Sequence, residues 1–448
     1  MNTFTTRFYD IEGRWDPQFY NPSLHFSNNA IYPKTRLGKI IESVIHPPEY
    51  ERVYSDSGIQ LLRAQNVRPT GIELNSNQVF FSKGFLESKK YITPEIGDVL
   101  IVRSGVNAGD TATIEEKIPF VILGADNLVL KCTTQVIPKF IQAFFFTDFG
   151  RREMNRHLTG ATNKHINADN VCLIKVLLPP KEIQSKIVNL FENALKRKSK
   201  REIEAKELLA SIDYLLLSEL GISLPKENDN QLIKRIFIRK FSVVSGGRFD
   251  PSAYKSKISN IQKSIKKSKY AVKKLKDLVF PAGQIVTSIN ESDLYVGLEN
   301  VDGLNAEVVP SSEKETISTA LKFKEGHILF PKLRPYLNKT TITNFNGLCS
   351  TEFHVFKAKN INPEYLCSFL RSKATVKITS ALMTGNTLPR IQMSDIMNLE
   401  VPIPDAEKQY GIVQKILEIK TKAKQLIEQA REELECTKKE IETMLLGS

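Results

Sequence analysis

The chain repeats itself. Residues 159–188 read TGATNKHINADNVCLIKVLLPPKEIQSKIV, and residues 384–413 read TGNTLPRIQMSDIMNLEVPIPDAEKQYGIV. At a constant offset of 225, Thr159 matches Thr384, Gly160 Gly385, Thr162 Thr387 and Ile166 Ile391. The same offset takes Pro179 to Pro404, Glu182 to Glu407, Gln184 to Gln409 and Val188 to Val413. An ungapped register of this length is an internal duplication. Upstream the offset drifts. Arg14-Trp15-Asp16-Pro17…Tyr20 is echoed by Arg248-Phe249-Asp250-Pro251…Tyr254, and Asn66-Val67 by Asn300-Val301, both at 234. Gly97-Asp98-Val99-Leu100-Ile101 is echoed by Gly326-His327-Ile328-Leu329-Phe330 at 229. The drift assigns extra residues to loops of the first copy, where insertions cost least.

Each copy runs into a long charged helix. The first is expected to start at the Pro179-Pro180 break and to stop near Leu220, where Gly221 and then Pro225 end it. Its apolar stripe is read as Ile183, Ile187, Phe191, Ala194, Ile203, Leu208, Ile212, Leu215 and Leu216. The second follows Pro404 with Asp405 as N-cap. It steps through Ile412, Ile416, Ile419, Ala423, Leu426, Ala430, Leu434, Thr437, Ile441 and Met444, a heptad-like seam. About 40 residues make a rod of roughly 60 Å, too long to bury its stripe on one small globule, so the two rods are expected to cover each other. Connectivity makes that pair antiparallel. A helical hairpin packed beside its own globule is the competing arrangement.

Within the globules, short apolar runs (Val99–Val102, Phe120–Leu123, Leu128–Leu130, Ile328–Phe330, Phe353–Phe356) read as strands. Pro138–Phe146 and Pro363–Arg371 read as short helices led by proline. The expected fold class is α+β: two similar α/β domains separated and joined by two long antiparallel coiled-coil helices, with an internal pseudo-twofold repeat. The boundaries are a first domain at 1–178, a long helix at 179–221, a linker at 222–242 centred on Lys226–Gln231, a second domain at 243–404 and a second long helix at 405–446.

Composition narrows the function. With 448 residues the chain is long enough for two cores. No apolar run approaches the roughly 18 residues of a membrane span, and the N-terminus lacks a signal-peptide core. Five scattered cysteines without CxxC spacing argue against disulfides and zinc, and so for a reducing cytoplasm. A formal net charge of +13 favours a polyanionic partner, most simply nucleic acid, over the alternative of solvated lysines. Enzyme signatures are absent: there is no G-x-x-x-x-G-K-[ST] loop. His46-Pro47-Pro48-Glu49 lacks the amide or acid that heads an adenine-methyltransferase tetrapeptide, and Pro404-Asp405-Ala406-Glu407-Lys408 has the wrong spacing for a nuclease.

At these residues the chain resembles the specificity subunit of type I restriction–modification systems. The resemblance rests on the duplication, the Arg-x-Asp-Pro…Tyr openings, the Gly-Asp-Val-Leu-Ile-x-Arg-x-Gly segment at 97–105, and the Thr-Gly-x-Thr loops. It rests equally on Pro-Pro-x-Glu-x-Gln and its Pro-Asp-x-Glu-x-Gln variant. The second half departs at 331–334, where Pro-Lys-Leu-Arg replaces the Arg-Ser-Gly-Val of the first. The resemblance implies a non-catalytic DNA-recognition protein of a bacterium or archaeon. Each globule would read one half of a split, asymmetric double-stranded target. The helices would set the spacing and dock two adenine methyltransferase subunits, with motor-nuclease subunits completing the complex. It implies no cofactor on this chain, since S-adenosylmethionine, ATP and magnesium belong to the partners. Ile187, Phe191, Ile212, Leu216, Ile416, Ile419, Leu426, Leu434 and Ile441 are the expected coiled-coil and docking positions. An enzyme with an unrecognised active site and a coiled-coil scaffold with protein-binding globules are the alternatives.

Candidate DNA contacts follow from residue type. Lys164, His165 and Arg390 follow the Thr-Gly pairs before a short helix. A phosphate on the helix N-terminus and a Thr-capped turn both fit. Arg103, Ser104 and Asn107, with Lys332, Arg334 and Asn338 at the matching place, sit in loops after a strand. Arg and Asn suit guanine and adenine edges, and a solvated loop is the alternative. Arg63, Gln65 and Arg68 lie in the variable stretch LLRAQNVRP and read as base contacts. The lysine run 255–276, with Lys266, Lys267 and Lys269 at its centre, reads as a backbone contact.

Overall fold

The computed structural model of the protein describes residues 17–20, 30–82, 84, 90–160, 162–225, 238, 251–287, 289–290, 292–311 and 318–447. The heads of the two openings (Arg14–Asp16 and Arg248–Asp250) and the linker stretch Lys226–Gln231 lie outside the described residues. The chain divides into two compact units, residues 1–201 with 428–448 and residues 202–427.

Unit 1 is built on a four-stranded antiparallel sheet of β1 (Ile41–Ile45), β2 (Val99–Val102), β3 (Thr111–Thr113) and β4 (Asn127–Cys132), in the order β1-β4-β2-β3. Both faces of β2 are buried, which is why it is a continuous apolar run rather than an alternating one. A three-stranded sheet of Phe80–Phe81, Ile59–Leu62 and Val121–Leu123 lies in the same unit. Phe120, expected in that last strand, is left-handed (φ +58) and 67% exposed, so the strand starts one residue later. Helices α1 (Pro138–Phe146), α2 (Asp148–His157) and α3 (Ala168–Leu173) follow. A short strand, Lys34–Arg36, pairs antiparallel with Lys175–Leu177 and ties the described start of the unit to the residues before the long helix α4 (Lys181–Leu220).

Unit 2 repeats this order. Helix α5 (Ser256–Lys266) precedes a sheet of β5 (Val279–Pro281), β6 (Ile328–Pro331), β7 (Thr341–Ile342) and β8 (Phe353–Ala358), ordered β5-β8-β6-β7. Helices α6 (Pro363–Arg371), α7 (Lys373–Ala381) and α8 (Met393–Met397) come next. The strand Ala271–Lys274 pairs with Glu400–Ile403 ahead of the second long helix, α9 (Ala406–Leu446).

The motif glutamines explain themselves here. Gln184 is buried in the first turn of α4. Its Oε1 accepts from the Ile137 N–H ahead of α1 (2.9 Å), and its Nε2 donates to Pro179 O (2.9 Å). Gln409 does the same on α9, accepting from Asn362 N (2.9 Å) and donating to Pro404 O (2.7 Å). Each links a long helix to the start of a short one, satisfying backbone groups that helix ends leave open. Asp405 is the N-cap of α9, accepting from Lys408 N (2.8 Å), and left-handed Gly221 (φ +69) follows the end of α4.

The long helices bury their stripes differently from expectation. In unit 1, Ile187 and Phe191 share one core with Ile441 and Leu445 and with globule residues Leu37, Phe140 and Val176. In unit 2, Leu216, Leu217 and Leu220 join Ile412 and Ile416 in a core with Ile258, Leu275 and Phe369. The globules therefore cover much of both stripes, contrary to the argument from rod length. A separate helix–helix cluster is small: Ala205, Leu209 and Ala423, with Ile212 and Leu426 partly buried against it. Leu434 is buried and Ile419 half-buried. Ile203 was placed in the stripe but is 56% exposed. It stands two residues, about 200°, from Ala205 around the helix, on the opposite face. Both units pair their helix segments antiparallel. Arg197 and Arg201 bond Glu433 in unit 1, and Glu219 bonds Lys408 (2.6 Å) and Lys415 (2.7 Å) in unit 2.

Candidate nucleic-acid interface

In each unit the loop leaving the second sheet strand makes the same three bonds, one to the residue before β4 or β8 and two to the Thr-Gly loop. In unit 1, Arg103 N donates to Asp126 O (2.7 Å), Gly105 N to Lys164 O (3.0 Å) and Ile166 N to Arg103 O (2.8 Å). In unit 2, Lys332 N donates to Glu352 O (2.7 Å), Arg334 N to Pro389 O (2.9 Å) and Ile391 N to Lys332 O (2.9 Å). Lys332 thus stands where Arg103 stands, and Pro331–Arg334 match Val102–Gly105. That register is one residue earlier than the Arg-Ser-Gly-Val expected.

The register explains how a glycine loop survives without glycine. Gly105 (φ +96) and Gly109 (φ +85) are left-handed, and their counterparts Arg334 (φ +47) and Asn338 (φ +52) keep that conformation. Asn tolerates it, whereas Arg carries a steric cost. Ala108 N donates to Gly105 O (3.0 Å) and Leu337 N to Arg334 O (2.9 Å), closing the same turn in both. Asn338 therefore corresponds to Gly109 rather than to Asn107. Its Nδ2 donates to Arg371 O (3.0 Å), and Arg371 Nη1 donates back to Asn338 O (2.9 Å).

The predicted side chains occupy this region unevenly. Arg103 Nη1 faces His46 Nε2 (2.7 Å) and Ala125 O (3.3 Å), and Ser104 Oγ lies 3.4 Å from Asp126 Oδ1. Asn107 is half-buried and accepts from Asp110 N through its carbonyl (2.9 Å). Lys164 is exposed. His165 Nε2 lies 3.0 Å from Thr159 Oγ1, and its backbone bridges both Thr159 and Ser104. Arg390 forms a two-pronged pair with Glu352, Nε to Oε2 at 2.8 Å and Nη2 to Oε1 at 2.7 Å. Lys332 Nζ donates to Thr351 O (2.7 Å), and burial pulls its pKa below the usual lysine range against the pull of Glu352. Arg334 Nη2 lies 3.4 Å from Thr387 O.

The N-cap of α3 is Asn167, whose Oδ1 takes Asn170 N at 2.8 Å, so no threonine caps this helix.

The LLRAQNVRP stretch is organised by Asn66. It is buried, accepts from Arg63 N (3.0 Å) and donates to Glu73 O (3.0 Å) and Ser76 O (2.7 Å). Asn300 accepts from Gly297 N (2.8 Å) in the same way, so the repeated Asn-Val is a turn lock. Arg63 Nη2 (2.8 Å) and Gln65 Nε2 (3.4 Å) converge on Asn77 O, and Arg68 leans towards Asp110 at 4.0 Å. Lys266, Lys267 and Lys269 sit at the C-terminal end of α5. Lys266 pairs with Glu400 (3.2 Å), and Lys269 N donates to Leu220 O (3.2 Å). Ile258, Ile261 and Ile265 bury the other face of α5, and the lysine run extends over this helix, the turn after it and the strand Ala271–Lys274. The sequence reading missed the partners of the predicted side chains: His46 for Arg103, Asp126 for Ser104 and Glu352 for Arg390. Their only signal was that Asp126 and Glu352 match at an offset of 226.

Among the described residues no helix is long and apolar enough to cross a membrane, and no cluster of His, Cys, Asp and Glu could hold a metal ion.

Comparison with known proteins agrees with the repeat. The family described as type I restriction modification DNA specificity domain matches twice, over residues 65–207 and 267–436. The type I restriction enzyme EcoDI specificity subunit of Escherichia coli is 30% identical over 104 residues, 23% of each chain. The MjaVIII specificity subunit of Methanocaldococcus jannaschii is 29% identical over 86 residues, 18% of this chain and 20% of that one. The chain thus spans under a quarter of the length of these curated relatives. A solved structure described by complex assembly and conformational transition of the type I R-M system is 13% identical, covering 92% of this chain and 97% of its own, with a TM-score of 0.49.

Proposed function

From the premise that this chain belongs to the type I restriction modification DNA specificity domain family, we propose that it is the sequence-reading subunit of such a system. Each unit reads one half of a split double-stranded target. The long helices, of 40 and 41 residues, set the distance between half-sites and dock two adenine methyltransferase subunits. Motor-nuclease subunits complete the assembly. The chain itself performs no chemistry, and S-adenosylmethionine, ATP and magnesium act on the partners, in the cytoplasm. The observation that carries this reading is the double family match, one to each repeat. Two similar units differing in their loop residues suit two different half-sites, just as a dimer of identical modules suits a palindrome.

The test is mapping of methylated adenines after co-expressing the chain with its modification partner. A split motif that disappears without the chain supports the reading. Replacing residues 1–178 by another such domain changes one half of the motif. Unchanged methylation, or a change in both halves, refutes it.

A further inference from the structure

Both units hold an apolar side chain out in water at the tip of the same loop. Val106 is 102% exposed and Tyr336 is 46% exposed. Scattered exposed hydrophobic residues are ordinary on protein surfaces. These two are different because the loop beneath each is fastened. In unit 1 the tip lies between left-handed Gly105 and Gly109. Gly109 N donates to Val102 O (2.8 Å), Ala108 N to Gly105 O, and Arg151 Nη2 to Ala108 O (3.2 Å). In unit 2 it lies between left-handed Arg334 and Asn338, with Arg371 bonded to Asn338 O and to Thr340 O (2.6 Å) from below. A loop that keeps a strained arginine to preserve the glycine loop's shape is held for its outline, and strain of this kind gathers at ligand-contacting sites.

The chemistry beside each tip fits a duplex. Lys164 is exposed, and its carbonyl accepts from the N–H of Gly105, the residue before Val106, so it supplies charge for a phosphate beside that loop. A valine has no hydrogen-bonding group, so its base contact is with the one apolar group on a major-groove edge, the thymine 5-methyl. We propose that the two loop tips are apolar base readers: Val106 packs on a thymine methyl in the half-site of unit 1, and Tyr336 packs on a base in the half-site of unit 2. This rests on the reading that each unit recognises one half-site.

The experiment uses the full chain with its modification partner and a duplex carrying the mapped motif. Each thymine is replaced singly by uracil, which removes only the methyl group. The wild type is expected to lose about fourfold in affinity, the worth of one buried methyl group, at one thymine of the half-site assigned to unit 1 by domain exchange. Val106→Ala is expected to bind the intact duplex about as weakly as the wild type binds that uracil duplex, and to be indifferent to the uracil. Tyr336→Ala should weaken binding through the other half-site alone. Unaltered thermal melting of the Val106 variant, whose side chain touches no core, separates lost contact from lost folding. No uracil-sensitive thymine in that half-site, or additive losses, overturns the proposal while sequence-specific binding leaves the wider reading intact. A wild type that binds every sequence equally refutes the wider reading instead.

Discussion

Replacing His354 by glutamine tests whether the support beneath the unit 2 loop is neutral by design of its surroundings. His354 sits on β8 opposite Phe330, its ring 6.0 Å from that of Phe356, with Nε2 3.2 Å from Ile391 O. Nε2 carries the proton and donates to the carbonyl, while the buried Nδ1 has no partner. Burial, with Lys332 adding repulsion, pushes the imidazole from 6.5 down to about 4. The unfolded chain therefore takes up a proton near 6.5 that the folded chain refuses until about 4. Between those values the unfolded state binds more protons, so stability falls as pH falls. The contribution is intact above the unfolded pKa and is lost on acidification through the window. The difference of two and a half units corresponds to about 3 kcal/mol. Glutamine keeps a donor for Ile391 O and cannot titrate. Urea denaturation of both chains from pH 7.5 to 4 should show the wild type losing about 3 kcal/mol relative to His354→Gln. Carboxylates common to both cancel in that comparison. Parallel curves would show that the ring is hydrated or that Nδ1 finds a partner, and the reasoning would fail.

Four further outcomes are expected. Gln184→Ala and Gln409→Ala should each cost their unit about 2–3 kcal/mol in urea denaturation, because each orphans a backbone N–H at the head of a short helix. Arg334→Gly should stabilise unit 2 by about 0.5–1 kcal/mol, the relieved left-handed cost less glycine's entropy. Gly109→Ala should instead destabilise unit 1 by about 2 kcal/mol or more, since its Cβ would meet Met154 Cγ at 2.6 Å. Lys164→Ala should weaken DNA binding equally for all sequences and reduce the slope of log K against log salt by about 1.

The architecture was legible because duplication and amphipathic periodicity are written in every residue of the segments concerned. Pro138–Phe146 and Pro363–Arg371 are helices with the bounds their prolines foretold, and the seam of α9 falls on buried or half-buried positions throughout. Where reading failed, a tertiary partner decided. Ile203 looks like stripe until Ala205 and Leu209 are seen clustered with Ala423, two of the three being alanines that a hydrophobicity count undervalues. The site was less legible. Arg390 carries no mark in sequence that Glu352, 38 residues earlier, will take its guanidinium. The repeat of Gln184 in Gln409 was visible, but that both serve as helix locks depends on Ile137 and Asn362 meeting them in space.

The division of the chain has a consequence for the order in which it can be finished during synthesis. Unit 2 is one continuous stretch, whereas unit 1 is completed by residues 428–448, after the whole of 202–427 has been made. At 5–20 residues per second that interval is on the order of 10–45 s. Through it Ile187 and Phe191 lack Ile441 and Leu445, their neighbours in the finished core. The unit that comes first in sequence is thus the last to close, and a nascent chain stalled before residue 428 presents an open apolar face to whatever chaperone or second copy is near.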